Sequence, residues 1–479
     1  MNLIDFLVND LIVEDTREIR ECQQIFLKTR YNEKYFDNQL LYITPSQLFR
    51  ALNLPTKFVG ITGTNGKTTT AFALSYILYR LGYKVATQGT EGFFINLKQV
   101  EGRTLTTPTL LTTLKRAVKY KPDFFIMEVS SHGIAQGRVD GIEWSLKIFT
   151  SFSQDHLDYH GSLEEYKRVK ESFLADATPK VVLRNTPINF NRENGIVVGE
   201  GLLERLGDIK LVGDFNRENL ALAVAGALVL TGADLDRIIE IAREFEGVPG
   251  RMEVVSTDPM IIVDYAHTPD GMERVLKSME GRKVVVFGAG GERDRGKRVK
   301  MGEVAGRLAQ FVILTNDNPR CEPPSQIFAD LVKGLEKVGT PYIIVPNRVE
   351  AIKMGVNLVK RWEWLCKREK GLERLEKFER EAERPIGVLF ELEGEGVVIE
   401  NRVELQLEVK REGREVKEWK RVEILKKGEL PKLHPSPSSA PILFVLGKGR
   451  EDYIEYCRRR VPYSDIQTIR EVLKCMGAV

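Results

Sequence analysis

The chain has 479 residues, and its 71 Lys and Arg residues nearly balance its 68 Asp and Glu residues. This length accommodates several domains of ordinary size, and a hydrophobic fraction of 42% argues against wholesale disorder. A formal charge of +3 gives no general reason to expect binding to nucleic acid or to a membrane, so neither partner is predicted.

The sequence also argues against export and membrane insertion. The start of the chain lacks the basic residues and apolar run of a secretory signal. The longest nearly unbroken apolar stretch, 220–230, is shorter than the ~20 residues that cross a bilayer. The five cysteines form no CxxC pair, and their odd number favours reduced thiols over a disulfide framework. We therefore expect a cytoplasmic protein with reduced cysteines.

The first 57 residues mix short apolar runs with polar turns, and a regular alternation of strand and helix begins after them. Phe58–Ile61, Phe124–Val129 and Leu146–Phe149 are short apolar runs typical of buried strands. Helical stretches such as Thr69–Leu81 separate them. This alternation predicts an α/β fold in which helices cover a parallel sheet.

Val248-Pro249-Gly250 is predicted to be a hinge between domains, because Pro-Gly breaks regular structure. Beyond it the alternation resumes and predicts a second α/β unit. Its expected strands are Ile261–Val263, Val284–Gly288, Val312–Thr315, Tyr342–Val345 and Ile442–Leu446.

A charged insertion from about residue 361 to 440 interrupts the second α/β unit. Half of residues 361–430 are charged and none is Asp. The pattern predicts a helix over 362–383, strands with charged faces within 397–424, and a flexible tether at 431–441. Three tryptophans of this segment either pack a small subdomain, which we favour, or anchor a partner: Trp362, Trp364 and Trp419.

A phosphate-binding loop is predicted between the first apolar strand and the helix that follows it. The segment Gly60–Thr68 resembles the phosphate-binding pattern GxxxxGK[ST], with five residues instead of four between Gly60 and Gly66. In such loops glycines let backbone N–H groups surround a phosphate at a helix N-terminus. Lys67 would neutralise the β- and γ-phosphates, and the Thr68 hydroxyl would bind Mg²⁺. The predicted contacts to a nucleoside triphosphate in this loop are Gly63, Thr64, Asn65, Gly66, Lys67, Thr68 and Thr69.

Polar clusters follow two further strands, where ligands gather in α/β sheets. Glu128 ends one strand and is a candidate ligand for Mg²⁺, a cation that prefers oxygen. His156 follows the other strand, and we favour a metal role for it over a structural one, whereas His160 is expected to be structural. Lys170, on the helix that begins near Ser162, would from composition alone be a solvated lysine.

Eight segments, in this order, resemble the Mur ligases, and specifically the member that adds the third residue of the peptidoglycan stem peptide. They are GTNGKTTT (Gly63–Thr70), TLTTPTLL (Thr104–Leu111), MEVSSHGIAQGRV (Met127–Val139), DHLDYHGSLEEYKRVK (Asp155–Lys170), PGRMEVV (Pro249–Val255), VDYAHTPDGM (Val263–Met272), NDNPR (Asn316–Arg320) and GKGREDY (Gly447–Tyr453).

The resemblance implies three domains. They would be a short UDP-sugar-binding domain (1–57), a central P-loop ATPase domain with a parallel sheet (58–248) and a C-terminal Rossmann-like ligase domain (249–479) that carries the insertion. It also implies a monomer that uses ATP as co-substrate and two Mg²⁺ ions. ATP would phosphorylate the D-glutamate carboxylate of UDP-N-acetylmuramoyl-L-alanyl-D-glutamate, and the amine of an amino acid would then displace phosphate.

The resemblance also implies roles for individual residues. Thr68 and Glu128 would bind one Mg²⁺, while Glu128, His156 and a carbamylated Lys170 (N6-carboxylysine) would serve the second. Further nucleotide contacts would be Asn216, Asn219, Arg251, Asp264 and His267. The muramoyl-dipeptide would be bound by Thr16, Thr106, Thr107, Ser130, Gln136 and Arg138.

The DNPR tetrapeptide indicates which amino acid is added. In the family this form accompanies meso-diaminopimelate, whose distal carboxylate a guanidinium such as Arg320 can bind in bidentate fashion. Glu451 would accept the distal ammonium, although the neighbouring Arg450 departs from the usual family pattern. The full set of implied diaminopimelate contacts is Arg293, Asp317, Asn318, Pro319, Arg320, Gly447 and Glu451.

Three alternatives remain open at this stage. The enzyme could add lysine instead of diaminopimelate, or be another amide ligase on the same scaffold, such as a folylpolyglutamate synthetase. More distantly, it could hydrolyse ATP to drive binding or movement rather than ligation.

Overall fold

The computed structural model describes residues 3–18, 24–30, 32–35, 40–103, 105–368, 398–399, 402–411, 414–423, 442–457 and 459–475. The chain forms two compact units, Met1–Val248 and Pro249–Val479, called the first and second unit below. The division falls inside the segment predicted as a hinge. The separation of residues 1–57 as a domain stays a prediction.

The secondary structure of the first unit alternates strands and helices. Its strands are β1 (Ile12–Val13), β2 (Ile25–Leu27), β3 (Tyr42–Ile43), β4 (Lys57–Thr62), β5 (Val85–Gly89), β6 (Gly92–Ile95), β7 (Lys98–Glu101), β8 (Phe124–Glu128), β9 (Trp144–Phe149), β10 (Lys180–Leu183) and β11 (Gly195–Val198). Its α-helices are α1 (Leu3–Val8), α2 (Pro45–Leu52), α3 (Lys67–Arg80), α4 (Leu110–Tyr120), α5 (Ser131–Ala135), α6 (Leu157–His160), α7 (Leu163–Phe173), α8 (Glu200–Arg205), α9 (Asp214–Thr231) and α10 (Leu235–Arg243). Short 3-10 helices cover Thr16–Glu18 and Glu33–Tyr35.

Within the described residues, the main sheet of the first unit has the strand order β11-β10-β9-β4-β8-β5-β6-β7. The strands from β11 to β5 are parallel, and β6 and β7 continue the sheet in antiparallel fashion. A separate small parallel sheet has the order β1-β2-β3. The parallel strands bring the loops after β4, β8 and β9 to one edge of the main sheet.

Alternating side chains of β4 contribute to two different cores. Val59 and Ile61 pack in the cluster that includes α3 and α9, whereas Phe58 packs in the cluster that includes α4 and stacks on Phe125 at 5.3 Å. Burial of each such side chain contributes about 1.5–3 kcal/mol. The apolar stretch 220–230 lies in α9, a helix of this core. Among the helices that the structure describes, none is both long and apolar enough to span a bilayer.

The second unit has its own parallel-rich sheet. Its strands are β12 (Glu253–Thr257), β13 (Met260–Asp264), β14 (Lys283–Phe287), β15 (Phe311–Leu314), β16 (Tyr342–Ile344), β17 (Val398–Ile399), β18 (Arg402–Arg411), β19 (Arg414–Glu423), β20 (Ile442–Leu446), β21 (Tyr453–Tyr456) and β22 (Arg459–Pro462). Its helices are α11 (Pro269–Lys277), α12 (Gly296–Leu308), α13 (Pro324–Val338), α14 (Arg348–Arg368) and α15 (Asp465–Cys475).

In the described part of the second unit, the main sheet has the order β12-β13-β20-β14-β15-β16, and only its edge strand β12 pairs in antiparallel fashion. Side chains of β13, β14 and β20 pack against α14 and α15 in one core. In both units, therefore, the predicted α/β fold with parallel-rich sheets is confirmed.

The charged insertion is described only in part. Helix α14 runs into its start, and β17, β18 and β19 form an antiparallel sheet within 398–423. The predicted helix beyond residue 368 and the predicted tether at 431–441 lie outside the described residues. The side chains of Trp362, Trp364 and Trp419 also lie outside them, so the choice between packing and partner binding stays a prediction.

The prediction of reduced cysteines is wrong for one pair. Cys321 and Cys457 form a disulfide across 136 residues of sequence. Cysteine count and spacing did not reveal it because the two residues meet only through the tertiary fold: Cys457 N donates to the carbonyl of Arg320, immediately before Cys321.

Candidate functional site

The loop between β4 and α3 has the backbone that a phosphate cradle requires. Gly63 and Gly66 have φ angles of 149° and 88°. A Cβ at Gly66 would lie 2.3 Å from Oδ1 of Asn219, and one at Gly63 would lie 2.0 Å from Oγ1 of Thr150. Both positions therefore demand glycine for space as well as for conformation. The loop opens directly into α3, whose N-terminus carries a partial positive charge.

The segment after β9 holds this loop in place. The Thr64 N–H donates to the carbonyl of Ser151 at 2.7 Å, and the Ser153 N–H donates to the Thr64 hydroxyl at 3.1 Å. The Thr150 hydroxyl donates to the carbonyl of Asn65 at 2.5 Å, and the Asn65 N–H donates to the Ser151 hydroxyl at 2.9 Å. These bonds couple the cradle to the strand end that leads to the predicted metal ligand His156.

Two lysines converge on the cradle. The Nζ atoms of Lys67 and Lys170 each donate to the carbonyl of Gly63 at 2.9 Å. Lys170 is only 1% exposed, and helix α7, capped by Ser162, carries it into the first unit's interior. Burial first, and then the charge of Lys67, hold the pKa of Lys170 well below its usual value, while Asp155 opposes the shift. The expectation of a solvated lysine from composition alone is thus wrong.

Thr68 and Glu128 face each other beside the cradle. The Thr68 hydroxyl donates to Oε2 of Glu128 at 2.9 Å, and the Thr90 N–H donates to Oε1 at 3.0 Å. Glu128 is 1% exposed, and a Cβ at Gly89 would lie 2.1 Å from its Oε1. A hydroxyl and a carboxylate are the oxygen ligands that Mg²⁺ prefers, so these residues fit the predicted ion.

Aromatic and histidine rings surround His156. Its Nε2 lies 3.3 Å from Oδ2 of Asp155, and its ring centroid lies 4.8 Å from that of His132. His160 is buried, with Nε2 2.9 Å from the Ser131 hydroxyl, and burial followed by the charges of His132 and Lys170 lowers its pKa. His160 therefore has the hydrogen-bonded surroundings expected of a structural residue.

Across the residues that the structure describes, no three His, Cys, Asp or Glu side chains gather closely enough to hold a metal ion by themselves. An ion bound at Thr68 and Glu128 would therefore complete its coordination with hydroxyl, phosphate, carbamate or water oxygens. Mg²⁺ commonly does so, because it keeps several waters and binds few carboxylates.

Several residues predicted to contact the muramoyl-dipeptide form one hydrogen-bonded network. The Thr107 hydroxyl donates to the carbonyl of Glu128 at 3.0 Å and lies 3.1 Å from the Ser130 hydroxyl. Arg138 donates to the carbonyl of Thr107 at 2.9 Å and also to the Gln136 amide oxygen. Through Glu128, this network adjoins the Thr68 pair.

Four other residues predicted as contacts in the first unit have different neighbours. The Thr106 hydroxyl lies 3.1 Å from that of Thr90. Asn216 and Asn219 are buried near the start of α9, and Asn219 donates to the Asn216 oxygen at 3.2 Å. Thr16 belongs to a 3-10 helix.

The nucleotide contacts predicted in the second unit lie before β12, at the end of β13 and just after β13. Asp264 accepts the N–H groups of Met252 and Ala266 at 2.8 and 2.7 Å. Burial raises the pKa of Asp264, while Arg251 and the two N–H donors oppose the rise. The Arg251 guanidinium lies 4.1 Å from the Tyr265 ring centroid, and His267 Nδ1 lies 2.8 Å from the Tyr265 carbonyl oxygen.

The predicted diaminopimelate contacts Asn318 and Glu451 meet directly. The Asn318 amide donates to Oε2 of Glu451 at 2.9 Å. Lys448, whose side chain is fully buried, donates to Oε2 of Glu451 at 2.8 Å and to Oδ1 of Asn318 at 3.1 Å. The φ of Gly447 is 110°, and a Cβ there would lie 2.4 Å from Oδ2 of Asp317. The loops after β15 and β20 therefore fit closely together.

Arg320 lies beside this group in the loop after β15. Its Nη1 donates to the carbonyl of Gly291 at 2.7 Å, and its Nε lies 3.3 Å from Oε2 of Glu455. The predicted contact Arg293 is exposed on the neighbouring loop, and Gly291 N donates to the carbonyl of Asn318 at 2.9 Å. Pro319 is buried between Asn318 and Arg320.

Residue-by-residue prediction did not identify two buried cations of the second unit. Lys448 lies inside the GKGREDY segment, so that motif could have identified Lys448 as a candidate. Arg348 had no comparable signal, yet its side chain is fully buried against Asp465. Thr90, which contacts Glu128 twice, was also missed because it follows a strand that the sequence pattern did not reveal.

Two family models match the chain. One described as "Mur ligase middle domain" matches residues 61–194, and one described as "Mur ligase, glutamate ligase domain" matches residues 250–365. Most of the predicted contacts described above lie in these ranges. Thr16, Asn216, Asn219 and the residues after β20 lie outside them.

Curated relatives share substantial sequence with the chain. The UDP-N-acetylmuramoyl-L-alanyl-D-glutamate--2,6-diaminopimelate ligase of Wolinella succinogenes is 40% identical over 380 residues, covering 72% of this chain and 87% of the relative. The protein of the same name from Helicobacter pylori is 37% identical over 407 residues, covering 77% and 90%.

Solved structures share the fold. One of a UDP-N-acetylmuramoyl-L-alanyl-D-glutamate--2,6-diaminopimelate ligase matches with a TM-score of 0.52 at 24% identity, covering 98% of this chain and 95% of that one. A folylpolyglutamate synthase from Mycobacterium tuberculosis matches with a TM-score of 0.51 at 16% identity, covering 64% and 85%. At these identities the likeness concerns the fold alone.

Proposed function

The chain belongs to the Mur ligase family, and from that premise we propose that it is the ATP-dependent ligase that adds meso-diaminopimelate to UDP-N-acetylmuramoyl-L-alanyl-D-glutamate. The reaction would be ADP-forming and would belong to peptidoglycan precursor synthesis. We place it in the cytoplasm, with the enzyme acting as a monomer. The observation that carries the proposal is the cradle between β4 and α3 with Lys67, Thr68 and Glu128 around it, in a chain 40% identical to a ligase of that name.

The reaction requires activation of a carboxylate, because oxide is too poor a leaving group for an amine to displace. An oxygen of the D-glutamate carboxylate attacks the γ-phosphorus, and ADP leaves as an acyl phosphate forms. The amine then attacks the acyl carbon, and inorganic phosphate leaves as the amide forms and the amine loses a proton. Both steps bring anions together, so the positive charge of Lys67 and the helix N-terminus would lower the barrier.

Magnesium would supply further positive charge beside the transferred phosphoryl group. Thr68 and Glu128 would hold one ion, and Glu128, His156 and carbamylated Lys170 would serve a second. Burial lowers the pKa of Lys170 and so favours its neutral form, which supports the carbamate because only a neutral amine reacts with CO₂. The product is an anionic oxygen ligand in place of an ammonium.

The proposed contacts fall into three groups, one for each substrate. Thr16, Thr106, Thr107, Ser130, Gln136 and Arg138 would bind the muramoyl-dipeptide. The nucleotide would contact Gly63, Thr64, Asn65, Gly66, Lys67, Thr68, Thr69, Asn216, Asn219, Arg251, Asp264 and His267. Diaminopimelate would contact Arg293, Asp317, Asn318, Pro319, Arg320, Gly447 and Glu451.

Phosphate release distinguishes a ligase from an ATPase that drives binding or movement. Purified protein would be given ATP and Mg²⁺ with muramoyl-dipeptide, with diaminopimelate, with both, or with neither. We expect sustained phosphate release only with both substrates, since phosphate leaves in the amide-forming step. Equal release without either substrate would contradict the proposal. A polyglutamate-type ligase would instead release phosphate with a folate and glutamate.

A further inference from the structure

Arg348 makes four hydrogen bonds in the interior of the second unit. It is the first residue of α14, and neither its side chain nor that of Asp465 is exposed. Nε and Nη2 of Arg348 each lie 2.7 Å from one carboxylate oxygen of Asp465, a bidentate pair. Nη2 also donates to the carbonyl of Leu446 at 2.9 Å, and Nη1 donates to that of Asn316 at 3.2 Å.

The two carbonyls mark the starts of the two loops that carry the proposed diaminopimelate contacts. Asn316 directly precedes Asp317, and Leu446 directly precedes Gly447. The Asn316 carbonyl lies just after β15, and the Leu446 carbonyl lies at the end of β20. These two strands flank β14 and do not pair with each other. The strand ladder therefore does not join the two loop starts, whereas a single guanidinium does.

Asp465 holds that guanidinium in its orientation. It opens α15, where a carboxylate is favoured by the helix N-terminus, and its Oδ1 also accepts the Tyr463 hydroxyl at 2.8 Å. Well-packed apolar residues can often replace a buried ion pair without loss of stability. Apolar side chains could not donate hydrogen bonds to the carbonyls of Asn316 and Leu446. The contribution specific to the Arg348–Asp465 ion pair is therefore the placement of the two loops.

We propose that Arg348, oriented by Asp465, is a positioning residue that sets the loops after β15 and β20 in register to bind the incoming amino acid. The inference rests on the proposed function, because it concerns the amino-acid site of that reaction. It concerns neither the phosphate cradle nor its lysines, which lie in the first unit.

The test uses two variants. One is Arg348→Lys, and the other combines Arg348→Met with Asp465→Leu. The control is Lys147→Met. Lys147 is a matched control, since it is a buried cation of the first unit that bonds to Asp176 and to the Phe173 carbonyl, whereas both loops belong to the second unit. Lysine keeps the charge of Arg348 but lacks the planar fork. The paired replacement removes both charges together.

Steady-state kinetics with diaminopimelate and ATP varied separately would be measured together with thermal unfolding. In both Arg348 variants we expect kcat/KM for diaminopimelate to fall by about tenfold or more, with KM for ATP unchanged. We expect Lys147→Met to leave the ratio of the two KM values as in the wild type. An unchanged kcat/KM for diaminopimelate in a folded variant would overturn the inference, as would unfolding of both variants below the assay temperature. Failure of the wild type to use diaminopimelate would instead refute the proposed function itself.

Discussion

Burial and a neighbouring cation oppose the charge of Lys170. Its side chain is buried, and Lys67 donates to the same Gly63 carbonyl as Lys170 does. A neutral amine is therefore available at a lower pH than for an exposed lysine, because the protein lowers the pKa of Lys170. This is the condition that carbamylation requires.

Lys170→Ala should depress ligase activity strongly, with partial recovery when a short-chain carboxylic acid is added. The acid would supply the oxygen ligand that the carbamate provides in the wild type. Lys147→Ala is the matched control, since burial also lowers the pKa of that lysine. Product formation would be measured with and without added acid. Full activity of Lys170→Ala without any supplement would rule out a carbamate requirement.

Arg320 is the residue proposed to select diaminopimelate as the amino acid that is added. Arg320→Ala should raise KM for diaminopimelate about 10- to 100-fold, because hydrogen bonds to charged groups contribute roughly 1.5–3 kcal/mol. ATP binding should not change. Arg307→Ala, at an exposed position of α12, is the control. Initial rates at varied diaminopimelate and a separate ATP-binding titration would be measured. Unchanged turnover with diaminopimelate would remove the role assigned to Arg320.

For individual residues, predictability from sequence depended on whether a residue's partners lie in the same motif. The cradle glycines and Lys67 were predictable because strand, loop and helix follow one another in the sequence. Arg348 was not, because its partner Asp465 lies 117 positions away and the bond exists only in the folded chain. Burial of Lys170 was likewise invisible, since α7 has an ordinary charged sequence.

Among the structural elements, the central strands were the most predictable. Predicted and observed bounds agree at β20, and at β4 they differ by one residue at each end. These strands are buried on both faces, so they are continuous apolar runs. The edge strand β12 (Glu253–Thr257) was missed because it is largely polar and partly exposed, and its pairing depends on β13. Strand β5 was missed although it is buried, since Thr and Gln interrupt its apolar pattern.

The disulfide joins two elements of the second unit. Cys321 follows Arg320 in the loop after β15, and Cys457 follows β21. Cys321→Ser should lower the free energy of unfolding by about 2–4 kcal/mol, because the cross-link restricts the unfolded chain. Urea denaturation would measure this loss, with Cys475→Ser, at an exposed free cysteine, as the control. Peptide mapping without reductant should yield the linked Cys321 and Cys457 peptides. Recovery of both only as free thiols would contradict the cross-link.

The alternation of strands and helices predicted the α/β class, and the ordered motifs predicted the family. Both predictions are confirmed. The solved ligase that covers 98% of the chain shares this fold at 24% identity, so the fold persists where most residues differ. Residues 1–57 carry none of the eight motifs, and their separation as a domain stays a prediction. The charged insertion carries none either, yet the strands predicted within 397–424 are present as β17, β18 and β19.

The proposed reaction yields a nucleotide-linked peptide that is longer by one amino acid. Purified protein would receive ATP, Mg²⁺ and UDP-N-acetylmuramoyl-L-alanyl-D-glutamate, with meso-diaminopimelate in one reaction and lysine in another, and the nucleotide-linked peptide would be weighed by mass spectrometry. We predict a peptide lengthened by one diaminopimelate residue, with one ADP formed for each product, and little or no lysine adduct. Consumption of ATP with no lengthened peptide in either reaction would contradict the account.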